Sequence, residues 1–352
     1  MNEIFKDLTI IELASVLAGP SVGMFFAELG ARVIKVENKA TNGDVTRQWK
    51  LPAEDKSKET SAYYASVNWN KEVLMLDLKK ENDLNHLMEI AKDADVIISN
   101  FKDGADVRLG VDYESFKKIK PSIIYGKITG FGEGEKRVAY DVVLQAETGF
   151  MYMNGTQESG PVKMPVALID LLTAHQMKEA LLVALIKKYK TGEGAKVTVS
   201  LFDSAIASLA NQASNYLMED YIPQRMGTRH PNIAPYGDLF TTADRKEVVL
   251  AIGNDQQFKS LCQVLRIAEM TELPIYTTNE GRVSHRNKVA MILENQIIKW
   301  NSEKLFAKLE EQNIPYGQVR NMKEVFELNA AKNMILENKD SKIVKSVAFE
   351  IL

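Results

Sequence analysis

The sequence predicts an α/β fold, in which helices cover both faces of a mostly parallel β-sheet and a smaller α+β domain follows. Two observations carry this prediction. Short apolar runs typical of buried parallel strands alternate with helical stretches over residues 8–130. Prolines and glycines then cluster at residues 220–237, where a crossing segment to a second domain is expected. The length of 352 residues agrees with about two domains.

Residues 8–37 form the first predicted β-α-β unit. The strand LTIIEL is followed by the turn Ala18-Gly19-Pro20-Ser21, where Pro20 suits the first position of a helix. That helix runs from Val22 to Leu29 and ends at Gly30, before the strand ARVIKVE. The same alternation predicts strands at 73–78, 95–100 and 122–130 and helices at 80–92 and 112–118.

The rest of the chain is richer in predicted helices. A long helix runs from Asp170 to Tyr189, and a strand at 195–201 and a helix at 202–219 follow it. The second domain is expected to start near Tyr236. Its predicted elements are a strand at 247–253 and helices near 256–266, 287–300 and 303–312.

Composition excludes several classes of function. Lys and Arg total 44 against 47 Asp and Glu, a net charge of −3, so neither nucleic acid nor an anionic membrane is an expected partner. The single cysteine, Cys262, excludes an intrachain disulfide, and the four scattered histidines have no metal-ligand spacing. No apolar run reaches the ~18 residues of a spanning helix, and the N-terminus has no signal-peptide pattern. A cytoplasmic protein is therefore expected.

The turn after the first strand raises a dinucleotide-binding hypothesis. Backbone N–H groups at the start of a helix bind anions, and Glu37 lies 18 residues after Gly19 (37 − 19), near the usual position of a ribose-binding acid. The turn nevertheless lacks the third glycine of the fingerprint, and Pro20 removes one N–H donor. A packing turn is therefore favoured over NAD binding.

Two further features suggest chemistry. Asp170 opens the predicted long helix, where it serves either as an N-cap or, kept ionised by the helix dipole, as a nucleophilic carboxylate. Taken alone, the capping role is favoured. Basic residues also follow several strands and, beside Asn100 and Phe101, form a candidate groove for a phosphorylated ligand with an aromatic base. These residues are Lys39, Lys71, Lys79, Lys102 and Arg108.

A series of longer motifs covers nearly the whole chain. They are VLAGP (16–20), ELGARVIKVE (28–37), NKEVLMLDLK (70–79), ADVIISNF (94–101), ITGFGEG (128–134), AYDVVLQAETG (139–149), PVALIDLLTA (165–174), TGEGAKVTVSLFDSAIA (191–207), RHPNIAPYGDLF (229–240) and NIPYGQVRNMKEVF (313–326). In this order they resemble the class III CoA-transferases, a family that includes formyl-CoA and carnitine CoA-transferases and the related acyl-CoA racemases.

The resemblance implies an interlocked homodimer. Each chain would have a large Rossmann-like domain that binds CoA (residues 1–222), a linker and small domain (223–325) and a C-terminal segment that returns to the large domain (326–352). Family members extend beyond the position matched by Leu352, so this last segment is expected to be short. CoA is then a co-substrate with acyl-CoA and carboxylic acid partners, and no permanently bound cofactor or metal is expected.

The resemblance also assigns residues to a site. It implies that Asp170 is the nucleophile, which moves CoA from an acyl-CoA thioester to a carboxylic acid through an aspartyl anhydride and an aspartyl-CoA thioester. The CoA-binding positions that it implies are Val16, Leu17, Ala18, Leu76, Lys79, Asn100, Phe101, Arg108, Tyr140 and Asp141.

Departures from the family motifs bear on the reaction. Formyl-CoA transferases have Gln at the position of Leu17 and Arg at that of Asn38, so formyl or oxalyl specificity is not expected. Racemases have His at the position of Tyr140, so CoA transfer is favoured over racemisation. A 2-methylacyl-CoA racemase or epimerase, a non-catalytic acyl-CoA binder and, more distantly, a nicotinamide-dependent dehydrogenase stay open as alternatives.

Overall fold

The computed structural model describes residues 3–351, which divide into two compact units. The first unit comprises the described residues up to Phe150, then Lys163–Ala213 and the residues from Lys332 onwards. The second unit comprises Met151–Val162 and Ser214–Ala331. The domain boundaries expected at residues 222 and 325 stay predictions.

The first unit is built on a six-stranded sheet in which every pair of neighbouring strands is parallel. Its order is β3-β2-β1-β4-β5-β6, so the strand order reverses between β1 and β4. In open parallel sheets the crevice at the carboxyl ends of two such strands is the usual place for a ligand. The strands are β1 (Thr9–Leu13), β2 (Arg32–Asn38), β3 (Glu72–Leu76), β4 (Val96–Ser99), β5 (Ile124–Thr129) and β6 (Ala195–Ser200).

Helices connect these strands and continue into the second unit. In chain order up to residue 219 they are α1 (Ala18–Glu28), α2 (Ala62–Ala65), α3 (Glu81–Ala91), α4 (Ala105–Leu109), α5 (Tyr113–Ile119), α6 (Asp141–Glu147), α7 (Phe150–Met153), α8 (Leu168–Thr191), α9 (Leu201–Ala207) and α10 (Ala210–Glu219). Short 3-10 turns at Lys39–Thr41 and Val45–Gln48 follow β2.

The inner strands β1, β4 and β5 of the six-stranded sheet are buried on both faces. Ile10 of β1 packs in one core with Phe26 of α1 and Met177 of α8. The next residue, Ile11, faces the other way and packs in a separate core with Leu87 of α3. Because successive residues of a strand point to opposite faces, a strand covered on both sides is mostly apolar. This explains why the strands appear in the sequence as continuous apolar runs.

The second unit contains a three-stranded antiparallel sheet of order β7-β8-β9. Its strands are β7 (Tyr236–Thr241), β8 (Glu247–Ala251) and β9 (Tyr316–Gln318). The helices after β8 are α11 (Asp255–Val264), α12 (Pro274–Thr277), α13 (Asn279–Ser284), α14 (Arg286–Ile297), α15 (Ser302–Glu311), α16 (Met322–Glu327) and α17 (Asn329–Lys332), with a 3-10 turn at Ala268–Glu272. The chain ends with an antiparallel hairpin of β10 (Ile335–Glu337) and β11 (Lys342–Val344), which belongs to the first unit.

The structure confirms the predicted α/β class but changes three helices. The first helix begins at Ala18 rather than Val22, so Pro20 lies inside its first turn. The long helix begins at Leu168, which makes Asp170 its third residue instead of its N-cap. The single helix expected at 202–219 is two helices, which Ser208 and Leu209 separate, and Ala210 at the start of the second has a positive φ of 49°.

Within residues 3–351, no helix combines the length and the apolar character that crossing a bilayer requires. No group of three or more His, Cys, Asp and Glu side chains in this described part of the chain is arranged to hold a metal ion. Cys262 is buried, as expected for a core thiol, and burial raises the pKa of its thiol to about 12.

Candidate active site

The segments after β1 and β4 meet at the reversal of the strand order. Asn100, which follows β4, accepts a hydrogen bond from the Ser15 N–H at 3.1 Å and donates one to the Ser15 carbonyl at 2.8 Å. Its side chain therefore fixes the turn between β1 and α1 from one side. Gly19 is required in this turn, because a Cβ atom there would lie 2.3 Å from the Cβ of Ala14.

A cavity of about 640 Å³ lies at the carboxyl ends of β1, β2, β3 and β4. We call it the larger cavity. It is lined by apolar side chains such as Leu13 and Leu109 together with the cations Lys79 and Lys102. Four of the residues implied by the resemblance lie in its wall, namely Leu76, Lys79, Asn100 and Phe101.

A cavity of about 220 Å³ adjoins it, which we call the smaller cavity. The turn residues Val16, Leu17 and Ala18 line it together with Tyr140 and Asp170. The two cavities share part of their lining, which consists of Ser15, Asn100, Phe101 and Lys102. A long ligand that occupies the larger cavity can therefore extend past these four residues towards Asp170.

Two of the CoA-binding residues that the family resemblance implies line neither cavity. Arg108 is exposed on α4, a helix that Lys127 of β5 holds through an ion pair of 2.9 Å with Asp106. The Oδ1 atom of Asp141 accepts hydrogen bonds from the N–H groups of Ile169 at 2.7 Å and Asp170 at 3.3 Å. Asp141 therefore caps the first turn of α8, which is the role that the sequence suggested for Asp170.

Asp170 is a buried carboxyl group, with 9% of the residue exposed. Burial raises the pKa of its carboxyl to about 7, and the negative charge of Asp141 adds to the shift. A helix N-terminus favours the carboxylate, which was the basis for expecting an ionised Asp170. Here burial outweighs that effect, since the buried charged form loses its hydration. At neutral pH the group is therefore divided between its acid and its carboxylate.

Tyr63 lines neither cavity, but it interacts electrostatically with Asp170, which sequence reasoning missed. Burial raises the pKa of its phenol to about 12, and the carboxylates of Asp170 and Asp141 add to the shift. The phenol therefore stays protonated at neutral pH within electrostatic range of Asp170. Its ring packs against Trp49 with centroids 5.1 Å apart. The only signal for it in the sequence is a group of aromatic residues within an otherwise polar segment at 39–70.

Two residues for which the sequence suggested a ligand-binding role form ion pairs inside the protein instead. Lys71 is fully buried against Glu12 at 2.7 Å, so it does not line the phosphate groove in which it was placed. Glu37 binds the Arg47 guanidinium at 2.7 Å and accepts a hydrogen bond from the Tyr64 hydroxyl at 2.6 Å. With both carboxylate oxygens engaged, Glu37 is not the free acid that a ribose-binding role needs.

The sheet order, the turn after β1 and the cavity at its carboxyl edge define a Rossmann-like ligand-binding unit. Residues 5–351 match the profile of CoA-transferase family III, so the chain belongs to that family. This confirms the resemblance found in the sequence, and the chain is an enzyme of the class III CoA-transferase type.

Three similar proteins illustrate the match. The succinate–glutarate CoA-transferase of Agrobacterium fabrum is 38% identical, over 91% of this chain and 81% of that protein. The human succinyl-CoA:glutarate CoA-transferase is 36% identical, over 96% of this chain and 76% of that protein. A crystal structure of a CAIB/BAIF family protein from Brucella suis superposes with a TM-score of 0.87 at 35% identity and covers 100% of this chain and 93% of that one.

Proposed function

We propose that this enzyme transfers CoA from an acyl-CoA thioester to a carboxylic acid, with Asp170 as the nucleophile. The observation that carries the proposal is the position of Asp170 in the wall of the smaller cavity, which the turn residues Val16–Ala18 also line. That cavity is continuous in its lining with a larger one that offers apolar surface and two lysines. Family membership indicates the type of reaction. The position of Asp170 provides a carboxyl group within reach of a thioester bound in the smaller cavity.

CoA has three parts that the cavities suit in turn. The larger cavity offers the Phe101 ring and apolar side chains to the adenine, and Lys79 and Lys102 to the phosphates. The pantetheine arm would pass the residues that both cavities share, among them Ser15 and Asn100. Its sulfur end would then lie in the smaller cavity beside Asp170.

The proposed reaction divides one exchange into steps that each break and form one bond. The Asp170 carboxylate attacks the thioester carbonyl and expels CoA thiolate, which leaves a mixed anhydride. The thiolate attacks the aspartyl carbonyl, releases the donor acid and forms an aspartyl-CoA thioester. The acceptor carboxylate then expels the thiolate to form a second anhydride. Attack of the thiolate on the acceptor carbonyl gives the new acyl-CoA and regenerates the carboxylate.

The electrostatics of Asp170 suit this role. A carboxyl group with a pKa of about 7 is partly ionised at neutral pH, and the carboxylate that forms is poorly hydrated. A poorly hydrated anion is the more reactive nucleophile. Tyr63 supplies a protonated hydroxyl in the same electrostatic environment, where a hydrogen-bond donor can stabilise a developing oxyanion.

The substrate class follows from the similar proteins. Two CoA-transferases at 38% and 36% identity carry names that refer to succinate or succinyl-CoA and glutarate. We therefore propose that short dicarboxylic acids are donor and acceptor here as well. CoA acts as a co-substrate in this scheme, and the reaction conserves the thioester, so it needs no ATP.

The test combines a substrate panel with an aspartate variant. Wild-type protein is incubated with succinyl-CoA and isotopically labelled glutarate, and mass spectrometry measures glutaryl-CoA. We expect Asp170→Asn to lower transfer by about 10³-fold or more, because the covalent steps are lost. CoA binding, measured by calorimetry, should change little. A CoA adduct on the peptide that contains Asp170 in the wild type would identify the intermediate.

Asp203 provides a matched control. Like Asp170 it is the third residue of its helix, but it is exposed and its carboxylate accepts a hydrogen bond from the Ser200 hydroxyl. Asp203→Asn should keep wild-type transfer. Near-normal turnover in Asp170→Asn would contradict the nucleophile assignment. Deuterium uptake at the α-carbon of a 2-methylacyl-CoA without acid exchange would indicate a racemase instead, and binding with neither reaction would indicate a non-catalytic acyl-CoA binder.

A further inference from the structure

Val16 adopts a strained conformation in the wall of the smaller cavity. Its φ is 71°, in the left-handed region that a β-branched residue rarely occupies. It lies between Ser15, which Asn100 holds, and Leu17, the N-cap residue of α1. A strained residue of this kind persists only when its surroundings determine its conformation. Contacts from outside the turn must therefore hold Val16.

One such contact comes from Asp44. Its carboxylate accepts a hydrogen bond from the Val16 N–H, at 3.2 Å to Oδ2. The same carboxylate accepts hydrogen bonds from the N–H of Thr46 at 3.0 Å and from the Thr46 hydroxyl at 2.8 Å. Asp44 belongs to the lining of the larger cavity, but only 1% of its side chain is exposed, because the carboxylate is engaged by the turn, Thr46 and Lys35.

Lys35 on β2 connects Asp44 to the end of β1. Its ammonium group lies 3.1 Å from Asp44 Oδ2 and donates hydrogen bonds to the Ala14 carbonyl at 2.7 Å and to Glu12 Oε1 at 3.1 Å. It therefore contacts both the carboxylate that holds Val16 and the backbone just before the turn. The position of the turn is thereby tied to the neighbouring strands β1 and β2.

Lys71 completes this arrangement on the side of α1. It donates hydrogen bonds to Glu12 Oε2 at 2.7 Å and to the Pro20 carbonyl at 2.8 Å. Gly23 makes room for the Glu12 carboxylate, because a Cβ atom at position 23 would lie 1.9 Å from Glu12 Oε2. We call these two carboxylates and two ammonium groups the buried charge cluster, whose members are Glu12, Lys35, Asp44 and Lys71.

The buried charge cluster is poorly explained by stability alone. Buried ion pairs lose so much hydration that apolar residues of similar size often stabilise a fold equally well or better. Buried charges that are hydrogen-bonded do, however, specify one geometry, since few arrangements of the chain give every charged group its hydrogen-bond partners. The cluster contacts the backbone at Ala14, Val16 and Pro20, on both sides of Leu17 and Ala18.

We propose that Asp44, supported by Lys35, is a positioning residue for the reaction. It holds Val16 in the left-handed conformation and so keeps the backbone of Leu17 and Ala18 against the reacting end of the bound thioester. The catalytic consequence rests on the proposed CoA transfer, whereas the hold on the turn does not depend on it.

The test uses Asp44→Ala in the full-length protein with two independent readouts. Hydrogen–deuterium exchange of the free protein should be about tenfold faster at the amides of residues 16–18, because the turn loses its anchor. The kcat for transfer from succinyl-CoA to glutarate should fall about 10- to 100-fold, because a small displacement of the turn misplaces the thioester. The Kd for free CoA should change less than kcat, since only 1% of the Asp44 side chain is exposed at the cavity wall.

Asp95→Ala is the matched control. Asp95 also accepts a hydrogen bond from a backbone N–H next to β1, that of Thr9 at 3.2 Å, and also binds a lysine, Lys188, at 2.9 Å. It does so at the opposite end of the strand from both cavities. We expect its removal to destabilise the fold without changing exchange at residues 16–18 or kcat.

A second substitution separates positioning from general destabilisation. In the variant Val16→Gly/Asp44→Ala, glycine adopts a positive φ without strain, so the turn should regain part of its order and kcat should recover several-fold over Asp44→Ala. If Asp44 only stabilised the fold, the added flexibility of glycine would lower the order of the turn and kcat further. Asp44→Asn, which keeps an acceptor oxygen for Val16, should give an intermediate kcat and serves as the readout if Asp44→Ala fails to fold.

Two results would overturn the proposal. One is equal effects of Asp44→Ala and Asp95→Ala on exchange at residues 16–18 and on kcat. The other is a further loss of order in the double variant. If the wild type transfers no CoA, the proposed function fails, and the exchange measurements alone decide whether Asp44 holds the turn.

Discussion

At the scale of single residues, Asp170 combines a functional position with a cost in stability. Its pKa of about 7 in the folded protein lies above the value near 3.8 of an unperturbed aspartate. Between these two values the folded state binds a proton that the unfolded chain has released. Stability therefore falls as pH rises from about 4 to about 7, and above pH 7 the full penalty of a buried charge remains.

This penalty predicts that Asp170→Asn stabilises the protein. The rise in the pKa of the carboxyl from 3.8 to about 7 corresponds to a gain on the order of 2–4 kcal/mol at pH 8, because the amide carries no charge to bury. The gain should shrink as pH falls and disappear near pH 4. Urea unfolding of wild type and variant between pH 4 and pH 8 measures it. A gain that does not depend on pH would mean that the carboxyl is not perturbed as described.

At the scale of secondary structure, α4 and the loop before it depend on one lysine. Lys127 of β5 is buried and lies 2.9 Å from Asp106 and 3.7 Å from Asp103. Burial opposes its charge, but these carboxylates raise its pKa above the ordinary value for lysine, so it stays charged. The loop that it holds contributes Lys102 to both cavities and leads to Arg108.

We therefore predict that Lys127→Met weakens CoA binding. The variant leaves the Asp106 carboxylate buried without its partner, so α4 and its loop should shift, and the Kd for CoA should rise about 3- to 10-fold. Calorimetry measures this directly. Lys196→Met is the control, since Lys196 lies on the neighbouring strand β6 and binds Glu133 at the surface. Equal Kd values for the two variants would contradict the prediction.

The same scale shows what the sequence could and could not predict. Strands such as β1 and β4 were predicted to within two residues, because burial on both faces makes them continuous apolar runs. The start of α8 was misplaced because its capping carboxylate comes from Asp141, a residue 29 positions before Asp170 (170 − 141). A cap supplied from another helix leaves no local pattern. The hydrogen bond between Asp44 and Val16 and the electrostatic interaction of Tyr63 with Asp170 are equally non-local.

At the scale of the whole molecule, the family resemblance predicted more than local sequence patterns did. The motifs predicted the class of enzyme and a Rossmann-like domain, and the family match over residues 5–351 and the order of the six-stranded sheet confirm these two points. The individual site residues stay predictions, although nine of the eleven lie in the walls of the two cavities. A motif match rests on many residues together. The role of a single side chain depends on three-dimensional contacts, which a sequence does not display.

The homodimer is the remaining prediction at this scale. One face of α8 exposes large apolar side chains at Val183, Ile186 and Tyr189, the last of which is 93% exposed. Residues three apart lie on the same side of a helix, so these side chains form one apolar strip. Exposed strips of this kind are typical of surfaces that a partner covers. We therefore expect the strip to be buried between two copies of the chain.

Charge placed in that strip should weaken the dimer. Light scattering after size-exclusion chromatography should give a dimeric mass for the wild type. Ile186→Asp should give a larger monomer fraction at low micromolar concentration, because the interface would have to bury an unpaired carboxylate. Met291→Asp on α14 is the control, since the two parent side chains are equally exposed, at 56% for Ile186 and 57% for Met291. A monomeric wild type would refute the dimer. Unchanged dimerisation of Ile186→Asp would place the interface elsewhere.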